Sequence, residues 1–340
     1  MCFPDIALTP EIEDALAGNC EVVFSLSGGK DSSAAALAVI AHLDRIGHPK
    51  THRHAIHADL GQIEWRSTAG FVEAIAEKLE TPLTVVRRNA GGLIQRWQQR
   101  WQSSRDRCAA METYQLISPF SSAKLRFCTS ETKVAPIGSH LRKSFKGRTI
   151  ISVVGIRREE SLGRANAPIA KADHRFAAPG NRADIRMLSW HPLVDWTAQN
   201  VFDLHQTTGF PLHEAYARYD ATRLSCSYCV LASLHNLQRS SACAANAPTY
   251  RRIVDLEIAS GFSLQPERWL ADVSPRLLTE QQRERLPLAK ASGERRRALE
   301  ATLPKDLRFR KGWPPRVPST AEATIIAGVR AIVLAQAGLT

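Results

Sequence analysis

The stretch EVVFSLSGGKDSS, residues 21–33, predicts a β-strand, a glycine loop and a helix in direct succession. The β-favouring residues 22–24 form the strand, and the alanine-rich run 34–42 propagates a helix well. Between them, Gly28 and Gly29 carry no Cβ, so the backbone can turn sharply and bring several N–H groups close to an anion. The N-terminus of the following helix adds positive partial charge. This stretch therefore predicts an anion-binding loop.

Lys30 adds a full positive charge to the loop. A Gly-Gly pair alone also fits an ordinary turn, so the prediction depends on the order of six residues. The loop is neither G-x-x-x-x-G-K-S/T nor G-x-G-x-x-G, which disfavours a Walker-type NTPase and a dinucleotide-binding fold. The candidate binding residues here are Ser27, Gly28, Gly29, Lys30, Asp31 and Ser32.

The composition predicts a soluble, cytoplasmic protein without a membrane partner. A chain of 340 residues with 44% hydrophobic content can bury a large core. No window approaches the roughly 18 apolar residues of a membrane span, and the N-terminal residues lack the pattern of a signal peptide. The formal net charge of +12 suggests an anionic partner larger than one nucleotide. The seven cysteines are expected to be thiols or metal ligands rather than disulfides.

Alternating strand and helix patterns follow the loop and predict a parallel sheet. The predicted strands are residues 53–59, 83–87 and 148–156, and the predicted helices are residues 67–79, 91–102 and 198–208, the last with Thr197 as its N-cap. Asp59, Gly61 and Glu64 lie at the end of the second strand, where open α/β sheets bind ligands. A strand-end turn with a capping acid also fits these three residues. Residues 166–187 lack apolar periodicity and are predicted to be a long loop.

Six segments occur in the order of a known family. They are S-G-G-K-D-S, D-x-G-x-x-E, R-x-C-T-x-x-x-K-x-x-P, G-x-R-x-x-E-S-x-x-R, P-L-x-x-W-T and C-x-x-C. Together they resemble the phosphoadenosine phosphosulfate (PAPS) reductase-like family of the adenine nucleotide α-hydrolase superfamily. Members of this superfamily split ATP between the α and β phosphates or bind an adenylyl sulfate. The resemblance covers residues 20–260 and implies a doubly wound α/β sheet with the nucleotide above the first strand. We expect this domain over residues 1–260 and a small, basic helical appendage over residues 261–340.

The resemblance also implies which side chains contact the nucleotide. The arginines of the fourth segment face phosphate or sulfate in this family, and the forked guanidinium suits such oxyanions. A solvated helix start explains these charges less well. Besides the loop, the implied contacts come from Asp59, Gly61, Glu64, Gly155, Arg157, Glu160, Ser161 and Arg164. The expected catalytic residues are Lys30, Asp31, Asp59, Lys133 and Arg157.

Cys226 and Cys229 form a C-x-x-C that fits a redox pair, half a zinc site or two iron–sulfur ligands. The resemblance adds Cys128 and implies a [4Fe–4S] cluster on these three cysteines. Cys243, Cys108 or a non-protein sulfur would then bind the fourth iron. The C-x-x-C is predicted to open a helix that runs through residue 237.

Two basic stretches suggest nucleic acid, DNA or tRNA, as a partner. Residues 87–107 hold six arginines and one acid, and Trp97 and Trp101 alternate with arginines at helical spacing. This pattern fits a stacking surface for single strands, but a tryptophan stripe is more often core. In the basic tail 266–319, seven prolines argue against one long helix. Six basic residues there could follow a phosphate backbone or form a solvated face: Arg295, Arg296, Arg297, Arg308, Arg310 and Lys311. An apolar helix is predicted over residues 321–337.

Two chemistries within the family compete. A sulfonucleotide reductase uses a cysteine in a Glu-Cys-Gly-Leu-His type tail, whereas this chain ends AIVLAQAGLT and its last cysteine is Cys243. We therefore expect an ATP pyrophosphatase that adenylates an acceptor for sulfur transfer, as in DNA phosphorothioation or tRNA thiolation. Mg²⁺ and a sulfur-donor protein are its expected companions. The alternatives are a sulfonucleotide reductase and a non-catalytic protein that binds nucleotide or nucleic acid.

Overall fold

The computed structural model describes residues 4–309, 313–336 and 338. The chain divides into two compact units. The first unit comprises the described residues up to Gly92 together with Phe127–Ser227, and the second comprises Leu93–Arg126 and the described residues from Tyr228 onward. The predicted domain boundary after residue 260 stays a prediction.

The first unit is built on a six-stranded sheet with the order β3-β2-β1-β4-β6-β5. All neighbouring strands are parallel except β5, which pairs antiparallel with β6. This sheet confirms the predicted fold class. The strands are β1 (Glu21–Ser25), β2 (Arg53–Asp59), β3 (Leu83–Arg87), β4 (Thr149–Val153), β5 (Ala170–Ala172) and β6 (Arg186–Trp190).

Alternate residues of the central strands enter two different apolar clusters, one on each face of the sheet. Phe24 and Ile151 pack in one cluster with the alanines of the first long helix, whereas Val23 and Ile150 pack in the other with Leu141. Because β1 pairs with β2 on one side and β4 on the other, the chain reverses direction across the sheet between β1 and β4. In open α/β sheets ligands bind at such a switch point, beyond the carboxyl ends of the strands.

The helices follow the predicted alternation in the first unit and account for most of the second. In chain order they are α1 (Pro10–Ala17), α2 (Lys30–Arg45), α3 (Thr68–Lys78), α4 (Leu93–Ala109), α5 (Phe127–Thr129), α6 (Ala135–Ser144), α7 (Ala198–Thr208), α8 (Glu214–Ala217), α9 (Leu234–Ala242), α10 (Ala247–Ser260), α11 (Leu270–Val273), α12 (Glu280–Glu300) and α13 (Thr320–Gln336). A π-helical turn, Ser130–Val134, joins α5 to α6. Thr197 caps α7 as predicted, in a reciprocal pair with Asn200.

Two predictions about local structure are wrong. The stretch 166–187 contains β5 and the start of β6 instead of being a loop throughout. The three residues of β5, Ala-Lys-Ala, are too short and polar to show a strand pattern, and pairing with β6 at the sheet edge determines their conformation. The C-x-x-C does not open a helix, because α9 begins at Leu234, where the Ser233 side chain accepts a hydrogen bond from the Asn236 N–H.

Two features of the second unit bear on the sequence interpretation of its helices. Trp97 and Trp101 are buried, so this stripe of α4 is core and not a stacking surface. Pro287 lies inside the 21-residue helix α12 without ending it. Pro287 is on the exposed side, where water can bond the carbonyl group that its missing N–H leaves unpaired. The final helix, α13, matches the predicted run closely, and Ala337 of that prediction lies outside the described residues.

None of the helices in residues 4–309 and 313–336 is both long enough and apolar enough to cross a bilayer.

Candidate functional site

The glycine loop lies between the end of β1 and the start of α2. Gly28 has φ +75°, a left-handed conformation that glycine adopts without strain. Gly29 is the N-cap of α2 and offers no side chain to bond the N–H groups of the first turn. Ser32 instead turns back, and its hydroxyl accepts from the Ser27 N–H at 3.2 Å and donates to the Gly29 carbonyl at 2.8 Å. The loop is therefore held in shape by its own serines, next to an uncapped helix N-terminus.

Lys30, Asp31 and Arg157 form a compact charged cluster at this helix start. The Lys30 Nζ lies 2.9 Å from one carboxylate oxygen of Asp31, and the Arg157 Nε lies 2.7 Å from the other. Both cations are buried, at 5% and 4% exposure. Burial alone would raise the pKa of Asp31, but the charges and hydrogen bonds of Lys30 and Arg157 outweigh it and lower that pKa. Two buried cations thus converge on one carboxylate.

Burial would likewise lower the pKa of Arg157, but Asp31, Glu160 and Glu159 raise it above its usual value. The Arg157 Nη1 is buried without a hydrogen bond to the described residues and has the Glu159 carboxylate at 3.4 Å. The Arg157 guanidinium is therefore charged, and its Nη1 can still donate a hydrogen bond. A phosphate or sulfate oxygen is the kind of acceptor that it fits.

Gly155 permits the close contact between the segment after β4 and the start of α2. A Cβ at this position would stand 2.3 Å from the Asp31 carbonyl oxygen, so no other residue fits without moving the backbone. Of the other predicted residues on this segment, Glu160 accepts from the Arg157 N–H at 3.1 Å and pairs with Arg164. Ser161 is exposed. The fourth motif therefore meets the glycine loop through Gly155 and Arg157.

The second motif forms a separate hydrogen-bonded turn after β2. Asp59 accepts from the Gly61 N–H at 2.7 Å and pairs with Arg87 at 2.8 Å. Gly61 has φ +75°, and Glu64 accepts from the Leu60 N–H at 3.3 Å. These contacts account for the turn, and they leave the predicted nucleotide contacts of Asp59, Gly61 and Glu64 as predictions.

His57 is a residue of this region that the sequence interpretation missed. It is buried, its Nδ1 lies 2.9 Å from the carbonyl oxygen of Leu26, and its Nε2 faces the Glu64 carboxylate at 3.5 Å. Burial lowers its pKa, but the hydrogen bond and charge of Glu64 outweigh burial and raise it. The charge of Lys133, on the π-helical turn, opposes this effect. His57 thus contacts both Leu26, which precedes the glycine loop, and Glu64 of the second motif. In the sequence, its position two residues before Asp59 on the same strand could have identified it as a site residue.

A second missed group surrounds the Lys30 side chain. The Lys30 Nζ lies 5.5 Å from the ring centroid of Phe202 and 5.8 Å from that of Tyr216. His205 Nε2 lies 3.0 Å from the Lys30 carbonyl oxygen. Lys30 is thus enclosed by α7 and α8 and directed at Asp31. No local pattern in the sequence marks Phe202, His205 or Tyr216 as neighbours of residue 30.

The predicted cluster ligands are divided between the two units, with Cys128 and Cys226 in the first and Cys229 in the second. These three cysteines are partly exposed, whereas Cys108 and Cys243 are buried, and the described part of the chain contains no disulfide between them. Within residues 4–309, 313–336 and 338, the structure has no group of three or more His, Cys, Asp or Glu residues placed to hold a metal ion. The [4Fe–4S] cluster on Cys128, Cys226 and Cys229 stays a prediction.

The basic residues of the tail have different environments. Arg296 is buried at 6% exposure and pairs with Glu300 at 3.1 Å, so it cannot follow a phosphate backbone. Arg295 and Arg297 are exposed. Arg308 donates to the carbonyl groups of Ala301 and Leu303. Arg310 and Lys311 lie outside the described residues.

Comparison with solved structures gives low-identity similarities. Candida glabrata FMN adenylyltransferase, in complex with FAD and inorganic pyrophosphate, is 16% identical with a TM-score of 0.35, and the match covers 61% of this chain and 55% of that one. The chain thus spans about half the length of that enzyme. The phosphoadenylyl-sulfate (PAPS) reductase of Candida auris is 13% identical with a TM-score of 0.37, covering 63% of this chain and 94% of that one.

A search of curated proteins found no match. The model of the phosphoadenosine phosphosulfate reductase domain, in contrast, matches residues 21–253, which is well over half of the 340 residues. The match begins at β1 and includes the glycine loop, the segment of Arg157 and the C-x-x-C. The predicted family is confirmed, and the chain belongs to the phosphoadenosine phosphosulfate reductase domain family.

Proposed function

We propose that this protein binds ATP on the loop of Ser27, Gly28, Gly29, Lys30, Asp31 and Ser32 and cleaves it between the α and β phosphates. An oxygen of the acceptor would attack the α phosphorus and expel pyrophosphate, and a sulfur nucleophile from a donor would then displace AMP from the adenylated acceptor. The observation that carries the proposal is the pair of buried cations, Lys30 and Arg157, that converge on Asp31 at the uncapped start of α2. A helix N-terminus beside two buried cations is suited to the pyrophosphate group.

Charge accumulates on pyrophosphate as its bond to the α phosphorus breaks. Donors fixed in advance around that position stabilise the transition state more than the bound substrate, because they need no reorganisation during the reaction. The backbone N–H groups of the glycine turn and the Arg157 guanidinium are such donors. Mg²⁺ would neutralise part of the same charge; its ligands remain unassigned.

Nucleic acid is the proposed acceptor, and the net charge of +12 supports it. The exposed Arg295 and Arg297 are the candidate phosphate contacts in the second unit. Because each such contact releases counterions, stimulation of ATP cleavage by DNA or tRNA should fall steeply as salt rises. Exchanging both arginines for glutamine should flatten this salt dependence, whereas an unchanged slope would exclude them as contacts.

The test of the proposal is product analysis with labelled ATP on anaerobically purified protein, with and without DNA or tRNA. AMP and pyrophosphate are the expected products. Gly28→Ala should abolish cleavage, because φ +75° at this position shapes the loop. Gly47→Ala is the matched control: Gly47 has φ +72° and nothing within 4 Å of an added Cβ, so it introduces similar backbone strain outside the loop.

A sulfonucleotide reductase is the second candidate, since the matching family model is that of a PAPS reductase domain. Such an enzyme would ignore ATP and release sulfite from an adenylyl sulfate in the presence of a thiol donor. Sulfite release without ATP cleavage would overturn the first proposal. Binding of nucleotide with neither reaction would favour the third alternative, a non-catalytic binding protein.

The iron–sulfur cluster on Cys128, Cys226 and Cys229 is a separate proposal with its own measurement. Anaerobic protein should be brown and contain iron and labile sulfide. Its absence would leave zinc binding or plain packing for these cysteines and would not affect the nucleotide proposal.

A further inference from the structure

The segment 213–224 lies directly against the glycine loop of the first unit. A Cβ on Gly28 would be 3.4 Å from a Leu224 methyl carbon, and a Cβ on Gly29 would be 3.8 Å from the Tyr216 hydroxyl oxygen. The Tyr216 ring also borders the Lys30 side chain. The hydroxyl of Tyr216 is therefore at the start of α2, beside the backbone that is proposed to bind phosphate.

The Tyr216 hydroxyl is bonded to a backbone group of its own segment. Its oxygen accepts from the Leu224 N–H at 2.8 Å. Burial raises the pKa of Tyr216 to about 12. The hydroxyl therefore keeps its proton at neutral pH.

That proton is not used by the protein. The bond from the Leu224 N–H uses the hydroxyl oxygen as acceptor, and within the described ranges of the chain no acceptor for the hydroxyl hydrogen is found. A hydroxyl normally donates as well as accepts. A half-buried hydroxyl without an acceptor for its proton, at the start of a 16-residue helix beside two cations, fits an anionic ligand.

A hydrogen-bonded chain fixes the other end of the segment. The Ala215 N–H donates to His213 Nδ1 at 3.0 Å, so His213 Nε2 carries the ring proton and donates to Ser67 Oγ at 3.1 Å. Ser67 in turn donates to Glu214 at 2.5 Å. Burial lowers the pKa of His213 to about 4, which keeps the ring neutral. Tyr216 is thus held rigidly from both sides.

We propose that Tyr216 is a nucleotide-binding residue whose hydroxyl donates its unused proton to a phosphate oxygen of the nucleotide on the glycine loop. The inference rests on the proposed function, because it needs a phosphate at this position. Tyr216 would add a neutral donor to a site whose other donors are backbone N–H groups and cations. Because the Tyr216 hydroxyl donates its hydrogen, it would favour a phosphate oxygen, which accepts a hydrogen bond, over ligand groups that only donate hydrogen bonds.

The test is calorimetric titration of Tyr216→Phe with ATP and with inorganic pyrophosphate. The substitution keeps the ring beside Lys30 and removes only the hydroxyl. A donor to a charged acceptor is lost, so the affinity for ATP should fall roughly tenfold. Pyrophosphate affinity should fall by the same factor if the contact is to that part of the nucleotide. Tyr228→Phe is the matched control, because Tyr228 is a buried tyrosine of the second unit whose hydroxyl donates to the Asn246 carbonyl.

Equal or tighter ATP binding by Tyr216→Phe would overturn the inference while leaving the proposed function intact. If the wild-type protein binds neither ATP nor pyrophosphate, the proposed function itself fails. Hydrogen exchange on the wild-type protein provides a second measurement that does not depend on folding of the variant. ATP should slow exchange in peptides that cover residues 213–224, and an unchanged rate there would also contradict the contact.

Discussion

Each unit of this chain buries a cluster of charges, and the two clusters differ in how their carboxylates and cations are paired. In the first unit, Lys30 and Arg157 share the carboxylate of Asp31. In the second, Arg296 pairs with Glu300 at 3.1 Å, donates to the Gly261 carbonyl and lies 3.5 Å from the Phe262 ring centroid. In the first cluster two buried cations converge on one carboxylate, with Glu159 3.4 Å from Arg157 as a second acid, whereas the second contains one buried charge of each sign.

Buried charge is unfavourable unless it is paired and hydrogen-bonded, so the way each cluster is paired is informative. The Arg296 pair also organises its surroundings, because Glu300 accepts from the Leu116 N–H at 3.0 Å. Contacts within the second unit therefore explain why the Arg296–Glu300 pair is buried. The cluster at α2, in contrast, leaves the buried Arg157 Nη1 without a hydrogen bond to the described residues and lies at an uncapped helix start. We infer that the first cluster serves binding and the second serves stability.

The largest effect is expected from Gly155→Ala, which acts on the binding cluster. The added Cβ would stand 2.3 Å from the Asp31 carbonyl oxygen and 2.5 Å from its carbonyl carbon, so the loop must move. We expect loss of measurable ATP binding and a decrease of about 3 kcal/mol in the free energy of unfolding. Calorimetry and denaturant unfolding measure the two effects.

Gly70→Ala is the control for this prediction. Gly70 lies within α3 with nothing within 4 Å of an added Cβ, and alanine is the better helix former there. Stability should rise by about 1 kcal/mol with ATP affinity unchanged. Wild-type ATP affinity in Gly155→Ala would show that the close contact at Asp31 has no bearing on the site.

A smaller effect, confined to stability, is expected from Glu257→Ala in the second unit. The buried Glu257 carboxylate accepts from the N–H groups of Leu264, Leu270 and Ala271 at 2.7, 2.7 and 3.1 Å. Removing it leaves these donors without their acceptor, which should lower the free energy of unfolding by about 2 kcal/mol. Glu257→Gln keeps one amide oxygen as acceptor and should lose less. A change in ATP affinity with either variant would contradict the separation of the two clusters.

The smallest effect concerns the pH dependence of the His57–Glu64 pair. Because the pKa of His57 is raised above 6.5 in the folded protein, the pair stabilises fully below that value and loses its contribution as pH rises through the folded pKa. Glu64→Gln should therefore lower the free energy of unfolding by about 1 kcal/mol below pH 6, and by less as pH rises. Urea unfolding across this pH range measures the difference. A constant or growing difference would contradict the pairing, and Glu77→Gln, at an exposed position on α3, is the control.

Local patterns in the sequence were sufficient to predict most of the strands of the sheet. The strands β2 and β3 have the predicted bounds, since each is a β-favouring run between turn residues. Thr197 was predictable as a cap because its bonding partner is three residues away. The edge strand β5 and the coil at the C-x-x-C were not predictable, because pairing with β6 and the Ser233 cap decide them.

The site was predictable to the extent that it lies in contiguous motifs. The loop residues and Arg157 are brought together as expected, with Gly155 at their contact. The environment of Lys30 was not predictable, because Phe202, His205 and Tyr216 come from segments about 175 residues away. Burial of Arg296 was missed for the same reason. Arg295, Arg296 and Arg297 are consecutive in the sequence, and only the packing of Arg296 on Phe262 distinguishes it from the other two.

The most direct test of the central claim is calorimetric titration of ATP into the wild-type protein, Arg157→Gln and Arg296→Gln. The account predicts that Arg157→Gln lowers ATP affinity at least tenfold, because it removes a charged donor from the phosphate site. Arg296→Gln should bind ATP as the wild type does but unfold at lower denaturant concentration. Wild-type affinity in Arg157→Gln, or an equal loss of affinity in both variants, would contradict the assignment of the cluster at α2 to nucleotide binding.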